Sequence, residues 1–316
     1  MRVLVTGVAG FIGSHVAGNL LERGDTVVGV DNFCDYYDPQ IKKRNIRELE
    51  SNERFTLYQE DVEDYLHIKL IFEEEKPDKV VHLAARAGVR ASIEDPLTYS
   101  HVNNIGTSTL LEMSRVFDVQ NFVFASSSSV YGNNTKVPFS EKDSVDFPIS
   151  PYAATKKAGE LLCHVYSHLH NLPCTCLRFF TVYGPKGRPD MAPYKFVKVV
   201  SEGTELTKFG DGTTSRDYTY IDDIVDGVVS AVDANLQYEI INLGNSQTVT
   251  LNQFIDVVER LIDKQAHIVQ MPIPPGDVER TYADISRAKE LLGYNPITKF
   301  EDGMEKFVEW YLEERV

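Results

Sequence analysis

Tyr152 and Lys156 stand four residues apart in Tyr-Ala-Ala-Thr-Lys, so a phenol and an ammonium share one face of the segment if it is helical. A free phenol has a pKa of about 10, and a cation beside it stabilises the phenolate, which makes Tyr152 a candidate general base. A second source of hydroxyls is the run Ser126-Ser127-Ser128-Ser129-Val130-Tyr131-Gly132, which follows an apolar stretch that reads as a strand. The third feature is at the N-terminus, where Val3-Leu4-Val5-Thr6 enters Gly7-Val8-Ala9-Gly10-Phe11-Ile12-Gly13. In a strand-turn-helix context Gly7 permits the tight turn and Gly10 lets a pyrophosphate approach backbone N–H groups. Gly13 lets the helix begun by Phe11 and Ile12 pack closely on the strand.

A pyrophosphate held there rests on the positive end of that helix. Asp31, followed by Asn32, closes the second strand-like run, where a carboxylate accepts hydrogen bonds from adenosine ribose hydroxyls and repels a 2′-phosphate; NAD is expected over NADP. Asp61 and Val62 end the third run, placed for the adenine amino group. The first glycine interval, Gly-x-x-Gly, is one residue longer than in the usual dehydrogenase fingerprint.

These groups need a scaffold. Apolar strand-like runs at 3–6, 26–31, 55–59, 79–83, 121–126 and 175–179 alternate with amphipathic segments at 12–23, 65–75, 96–117 and 151–170. Strands buried on both faces with helical crossovers imply an α/β, doubly wound parallel sheet of Rossmann type. Asp95 before Pro96 and Ser150 before Pro151 read as helix N-caps followed by proline at the first helical position. After Phe180 the texture changes to glycine, proline and charge. The expected division is therefore a dinucleotide domain over 1–180 and a smaller α/β substrate domain over 181–316, with 238–262 returning to the first sheet.

A chain of 316 residues with net charge −15 repels phosphate backbones and anionic membranes, so no nucleic-acid or membrane partner is expected. No secretory leader pattern or span of about 20 apolar residues is present, and a cytoplasmic protein is expected. Of four cysteines, Cys174 and Cys176 share one face of a buried strand and read as core thiols; no metal site is expected.

The glycine turn, the serine run and the Tyr/Lys pair, in this order, resemble the extended short-chain dehydrogenase/reductases over essentially the whole chain. That resemblance implies that Ser127 shares the hydroxyl proton, Tyr152 is the acid/base, and Lys156 holds the ribose and lowers the phenol pKa. It also implies that His82-Leu83-Ala84-Ala85-Arg86 forms a fourth strand and cofactor-lining turn, and that Asn104 supports a helix. By the same resemblance Arg216 and Arg280 occupy positions that grip the nucleotide-sugar diphosphate in similar enzymes, a role that the planar, bidentate guanidinium suits.

Three stretches, 31–39, 85–90 with Arg90, and 184–192 with Arg188, are similar to those of UDP-glucuronate 4-epimerases, with the UDP-glucose/UDP-galactose 4-epimerases next. Ser128-Ser129 stands where dehydratases of the family carry Asp-Glu, and Ser129 where its decarboxylases carry a glutamate. The resemblance thus implies redox-neutral epimerisation of a UDP-sugar on tightly held NAD. Ser127, Ser128, Ser129 and Thr181 are expected to bond a uronate carboxylate, and Arg188 either guides the sugar or meets phosphate. Helices over 96–117 and 151–170 are long enough to pair across a two-fold axis, so a homodimer is expected.

Overall fold

In the computed structural model, which describes residues 1–272 and 278–314, the chain starts as β1 (Arg2–Thr6), α1 (Phe11–Glu22), β2 (Thr26–Val30), α2 (Pro39–Ile46), β3 (Phe55–Tyr58), α3 (Tyr65–Glu75) and β4 (Lys79–His82). Two short helices, α4 (Val89–Glu94) and α5 (Pro96–Ser100), and a wide turn at His101–Ile105 lead into α6 (Gly106–Val116). β5 (Asn121–Ser127), α7 (Pro151–His170) and β6 (Cys174–Phe179) follow.

The chain then leaves through β7 (Thr181–Tyr183), α8 (Ala192–Glu202), β8 (Glu205–Phe209), β9 (Ser215–Arg216), β10 (Tyr218–Tyr220) and α9 (Ile221–Ala234), and returns as β11 (Tyr238–Leu243). β12 (Val249–Thr250), α10 (Leu251–Ile262), β13 (His267–Met271), α11 (Ser286–Leu292) and α12 (Phe300–Glu313) complete it.

Seven parallel strands form one sheet in the order β11-β6-β5-β4-β1-β2-β3. The order reverses between β1 and β4, which opens the crevice where doubly wound sheets take ligands. The inner strands β1, β2, β4, β5 and β6 bury both faces: Val3 and Val5 join the core on one side of the sheet, Leu4 the core on the other. Cys174 and Cys176 lie in the second core with Cys163 from α7; all three are buried free thiols.

α9 and β11, both beyond residue 180, are layers of this sheet. β11 pairs with β6, and α9 packs against α1 and against β4, β5 and β6. Buried polar groups fix the end of α9: Lys79 Nζ donates to the Val232 carbonyl at 2.7 Å, and the Asn121 amide donates to the carbonyls of Ala231 at 2.9 Å and Val232 at 3.0 Å. These are the carbonyls a helix C-terminus leaves without partners. Small pairings β7–β10, β8–β13 and β9–β12 build the remaining lobe. No helix among the described residues is long and apolar enough to cross a membrane.

Candidate active site

The glycine turn is shaped by close approach. Gly7 adopts φ +68°, and a Cβ there would meet the Ala84 nitrogen at 2.9 Å; a Cβ on Gly13 would lie 2.1 Å from the Gly7 carbonyl oxygen. Gly10 is the N-cap of α1 and supplies no side-chain cap, so the first N–H groups of the helix point into the crevice without an internal acceptor. That cradle fits a dinucleotide pyrophosphate.

A cavity of about 320 Å³ runs from this turn along the carboxyl ends of β1, β2, β4 and β5. Gly7, Gly10, Phe11, Ile12 and Gly13 line its phosphate end, Asp31, Asn32, Asp61 and Val62 its acidic corner, and Leu83, Ala84, Ala85, Tyr152 and Lys156 its inner wall. Asp31 Oδ2 accepts from Ala9 N at 3.1 Å, and Oδ1 from Phe33 N at 2.8 Å and from Lys42 Nζ at 3.0 Å. Asn32 donates to Asp61 at 2.8 Å. The residues present therefore fit NAD: acceptors stand at the ribose and adenine corner, and uncapped N–H groups at the phosphates.

α7 begins at Ser150, whose hydroxyl caps Ala153 N at 3.1 Å, and presents Tyr152, Lys156 and Glu160 along one face at four-residue spacing. Burial raises the Tyr152 phenol pKa, opposed by a hydrogen bond with Ser127 and by the charge of Arg188. The Lys156 ammonium donates to the Ala125 carbonyl at 2.7 Å, inside a pocket whose burial pulls its pKa down to about 7. The positive charge of Arg188 also bears on the phenol.

A correction concerns Asn104. The side chain that supports the site is Asn103, which accepts from Arg86 N at 2.9 Å and donates to the Arg86 carbonyl at 3.0 Å and to Thr155 on α7 at 2.9 Å. Asn104 bonds Ser100 on its own helix at 3.3 Å and does not line the cofactor cavity. The cause is the π-helical turn His101–Ile105, which shifts the helical phase so that the earlier asparagine faces inward.

The substrate side is split. Ser128, Ser129 and Thr181 line a recess of about 180 Å³ together with Arg216. Arg90 and Arg216 line a larger cleft of about 820 Å³ walled by α4, α8, β8 and β9. Ser127 Oγ accepts from Ser129 N at 3.2 Å and lies 3.2 Å from Ser129 Oγ, to which it can donate, and it also hydrogen-bonds the Tyr152 phenol. Arg188 faces the cofactor cavity, bonds Asp190 at 2.6 and 2.9 Å and the Ala87 carbonyl at 3.1 Å, and stacks on Tyr36 at 5.2 Å. Arg280 is exposed; its guanidinium donates to Thr248 at 3.5 Å and lies over Tyr282. Ser215 forms an isolated bridge with Arg280, so the β9 segment that carries Arg216 runs beside Arg280.

Sequence reasoning missed Lys42, the Tyr36 ring common to both large cavities, and the Glu160–Arg178 pair behind the serine run. Glu160 carried a signal in its four-residue spacing from Lys156. Lys42 and Tyr36 sit on segments whose approach to the crevice depends on tertiary packing.

The family model described as GDP-mannose 4,6 dehydratase matches residues 4–307. The chain belongs to this family. It is an extended short-chain dehydrogenase/reductase. Among relatives of the family, a UDP-glucuronate 4-epimerase of Thermodesulfobacterium geofontis is 47% identical, over 97% of this chain and 95% of its own length. The crystal structure of UDP-glucuronic acid 4-epimerase from Bacillus cereus, in complex with UDP-glucuronic acid and NAD, superposes with TM-score 0.94 at 39% identity, over 99% of this chain and 100% of that one. A UDP-glucose 4-epimerase from Thermotoga maritima, solved with UDP-glucose, gives TM-score 0.91 at 33% identity, over the whole of both chains.

Proposed function

We propose that the chain is an isomerase that interconverts UDP-glucuronate and UDP-galacturonate at C4, with NAD as a resident group. The observation that carries this reading is the convergence of Tyr152 and Lys156 on the cofactor cavity, while Ser128, Ser129 and Thr181 line the adjoining recess. The family takes its name from a dehydratase, but hydroxyls stand here where elimination needs acids. On this reading, residues 1–180 with α9 and β11 hold the cofactor and the remainder holds the nucleotide sugar.

NAD, when bound, accepts a hydride from the sugar C4 and returns it, so the net reaction needs no external oxidant. The Tyr152 phenolate takes the 4-hydroxyl proton, with Ser127 sharing it, and returns it after the sugar has turned over. Lys156 holds the nicotinamide ribose. Arg216, Arg280 and Arg90 anchor the diphosphate and nucleotide while the sugar rotates. A 4-keto uronate is a β-keto acid that loses CO2 when its carboxylate turns perpendicular to the ketone. Hydroxyls of Ser127, Ser128, Ser129 and Thr181 that bond the carboxylate restrict that turn. The test is incubation with UDP-glucuronate and NAD+: formation of UDP-galacturonate supports the reading, and its absence at every enzyme concentration overturns it. UDP-glucose in the same assay measures selectivity.

We further infer a homodimer. Leu161, Val165 and Leu169 form an exposed apolar stripe on α7 at four-residue spacing, and Leu97 of α5 is 78% exposed nearby in the same layer. Such a stripe fits a second copy packed as a helix bundle. Light scattering that reports a monomer at micromolar concentration overturns this.

A further inference from the structure

The acidic corner of the cofactor cavity holds an ion pair. Lys42, 8% exposed at its side chain, reaches from α2 to Asp31, itself 3% exposed, at 3.0 Å. The ammonium also faces Cys34 Sγ at 3.6 Å and lies 5.7 Å from the centre of the Tyr37 ring, and Lys42, Cys34 and Tyr37 all line the cavity beside Asp31. α2 is held against the glycine turn independently, because Asn45 donates to the Ala9 carbonyl at 3.1 Å. Lys42 is therefore delivered to this corner by a helix anchored to the phosphate loop.

We propose that Lys42 is a second determinant of cofactor choice, and that it leaves this corner one substitution away from accepting a 2′-phosphate. An ionised carboxylate offers about four lone-pair sites, and Asp31 uses three of them on Ala9, Phe33 and Lys42. One acceptor site remains for a ribose hydroxyl. The ammonium has three N–H bonds; one goes to Asp31 and one faces sulfur, which leaves one donor for a ribose oxygen. The pair so supplies both the acceptor and the donor that a diol needs, at zero net charge. A 2′-phosphate is repelled by Asp31, with Asp61 adding negative charge to the same corner, and attracted by Lys42, so the lysine works against its rejection. When Asp31 loses its charge, the ammonium is released to a phosphate oxygen in a charge-assisted bond.

This inference rests on the NAD reading above. NADH and NADPH are titrated, by nicotinamide fluorescence, into cofactor-stripped full-length protein. The expected results are NADPH binding at least about tenfold tighter in Asp31→Asn than in the parent, and loss of that gain in Asp31→Asn/Lys42→Met. Lys42→Met alone is expected to weaken NADPH more than NADH, which keeps the test open if Asp31→Asn does not fold. No gain in Asp31→Asn, a gain that survives removal of Lys42, or Lys42→Met that leaves NADPH binding unchanged overturns the proposal. A parent protein that binds no NADH overturns the NAD reading itself, so the two failures are distinguishable.

Discussion

Glu160 and Arg178 face each other as a bidentate ion pair at 2.8 and 2.9 Å, with side chains 0% and 1% exposed. Ser126 Oγ donates to the same carboxylate at 2.7 Å, and the Arg178 guanidinium stacks on Tyr131 at 4.8 Å. The Tyr131 hydroxyl in turn donates to Asn242 of β11 at 2.7 Å. The pair thus joins α7, β5, β6 and β11 directly behind the serine run and sets the roll of the helix that carries Tyr152. Glu160→Gln leaves a buried guanidinium without its counter-charge and is expected to cost about 3–5 kcal/mol, read by urea unfolding. Burial raises the Glu160 carboxyl and Arg178 outweighs it, so its pKa is lowered. The stability from the pair is present at neutral pH and is lost as pH falls below the ordinary carboxylate range.

Tyr152→Phe keeps the ring, its edge-to-face contact with Tyr99 at 6.2 Å and the packing of α7, and removes only the hydroxyl. Turnover of UDP-glucuronate is expected to fall by about 10²–10⁴ in kcat, with binding of NADH and UDP-sugar nearly unchanged. Equal loss of NADH affinity, measured by fluorescence, indicates a structural tyrosine instead.

Lys156 gives a prediction with the same sign of slope in a higher pH window. Burial lowers its pKa to about 7, so the cofactor-free folded chain holds fewer protons there than the unfolded chain between about pH 7 and the ordinary lysine range. The cost of the buried ammonium is greatest at low pH and is relieved as pH rises through that window. Lys156→Met is expected to raise Tm most near pH 6, and the advantage is expected to shrink by pH 9 in calorimetry of the cofactor-free protein. An advantage that does not change with pH contradicts the burial of a titrating amine.

How much of this was legible beforehand divides along the sheet. Runs such as Val3-Leu4-Val5 and Phe122-Val123-Phe124 bury both faces, so composition alone marks them as strands, and all seven central strands were readable. The glycine turn and the Ser150 and Asp95 caps were readable because each residue type answers a local steric or hydrogen-bonding need. α9 has a helical spacing of apolar residues, but it lies beyond Phe180, where the texture changes to glycine, proline and charge, so its sequence alone does not assign it to the first layer. Asn104 comes from the family resemblance, and a π turn at His101–Ile105, which resemblance at the level of residue type does not carry, gives the bonds to Arg86 and Thr155 to Asn103. The Ala125 carbonyl that Lys156 bonds carries no side-chain signature.

Arg216 lies in both the recess and the larger cleft, at the start of the β9–β12 pair. Arg216→Ala is expected to raise the KM for UDP-glucuronate about tenfold or more and to change kcat less, since the diphosphate grip acts alike on bound substrate and transition state. Steady-state kinetics with unchanged NADH affinity checks this; a pure kcat loss counts against an anchoring role.

Ser128→Ala with Thr181→Ala removes two hydroxyls from the recess without charging it. The expected outcome is new chemistry as well as lost rate: part of the UDP-glucuronate leaves as CO2 and a UDP-pentose. Trapped CO2 and mass analysis of the products measure the fraction. Unchanged turnover with no CO2 shows that the carboxylate is held elsewhere.

The wide turn at His101–Ile105 can also be read as one surplus residue in an otherwise continuous helical path from Pro96 to Val116. Deleting a single residue there lets the path close as ordinary α-helix, which costs the fold little. The deletion turns Asn103 about 100° around the axis, away from Arg86 and Thr155, and leaves α7 without its lateral brace. A repair of the helix is thus a defect of the site, and in this segment conservation of length matters as much as conservation of residue type.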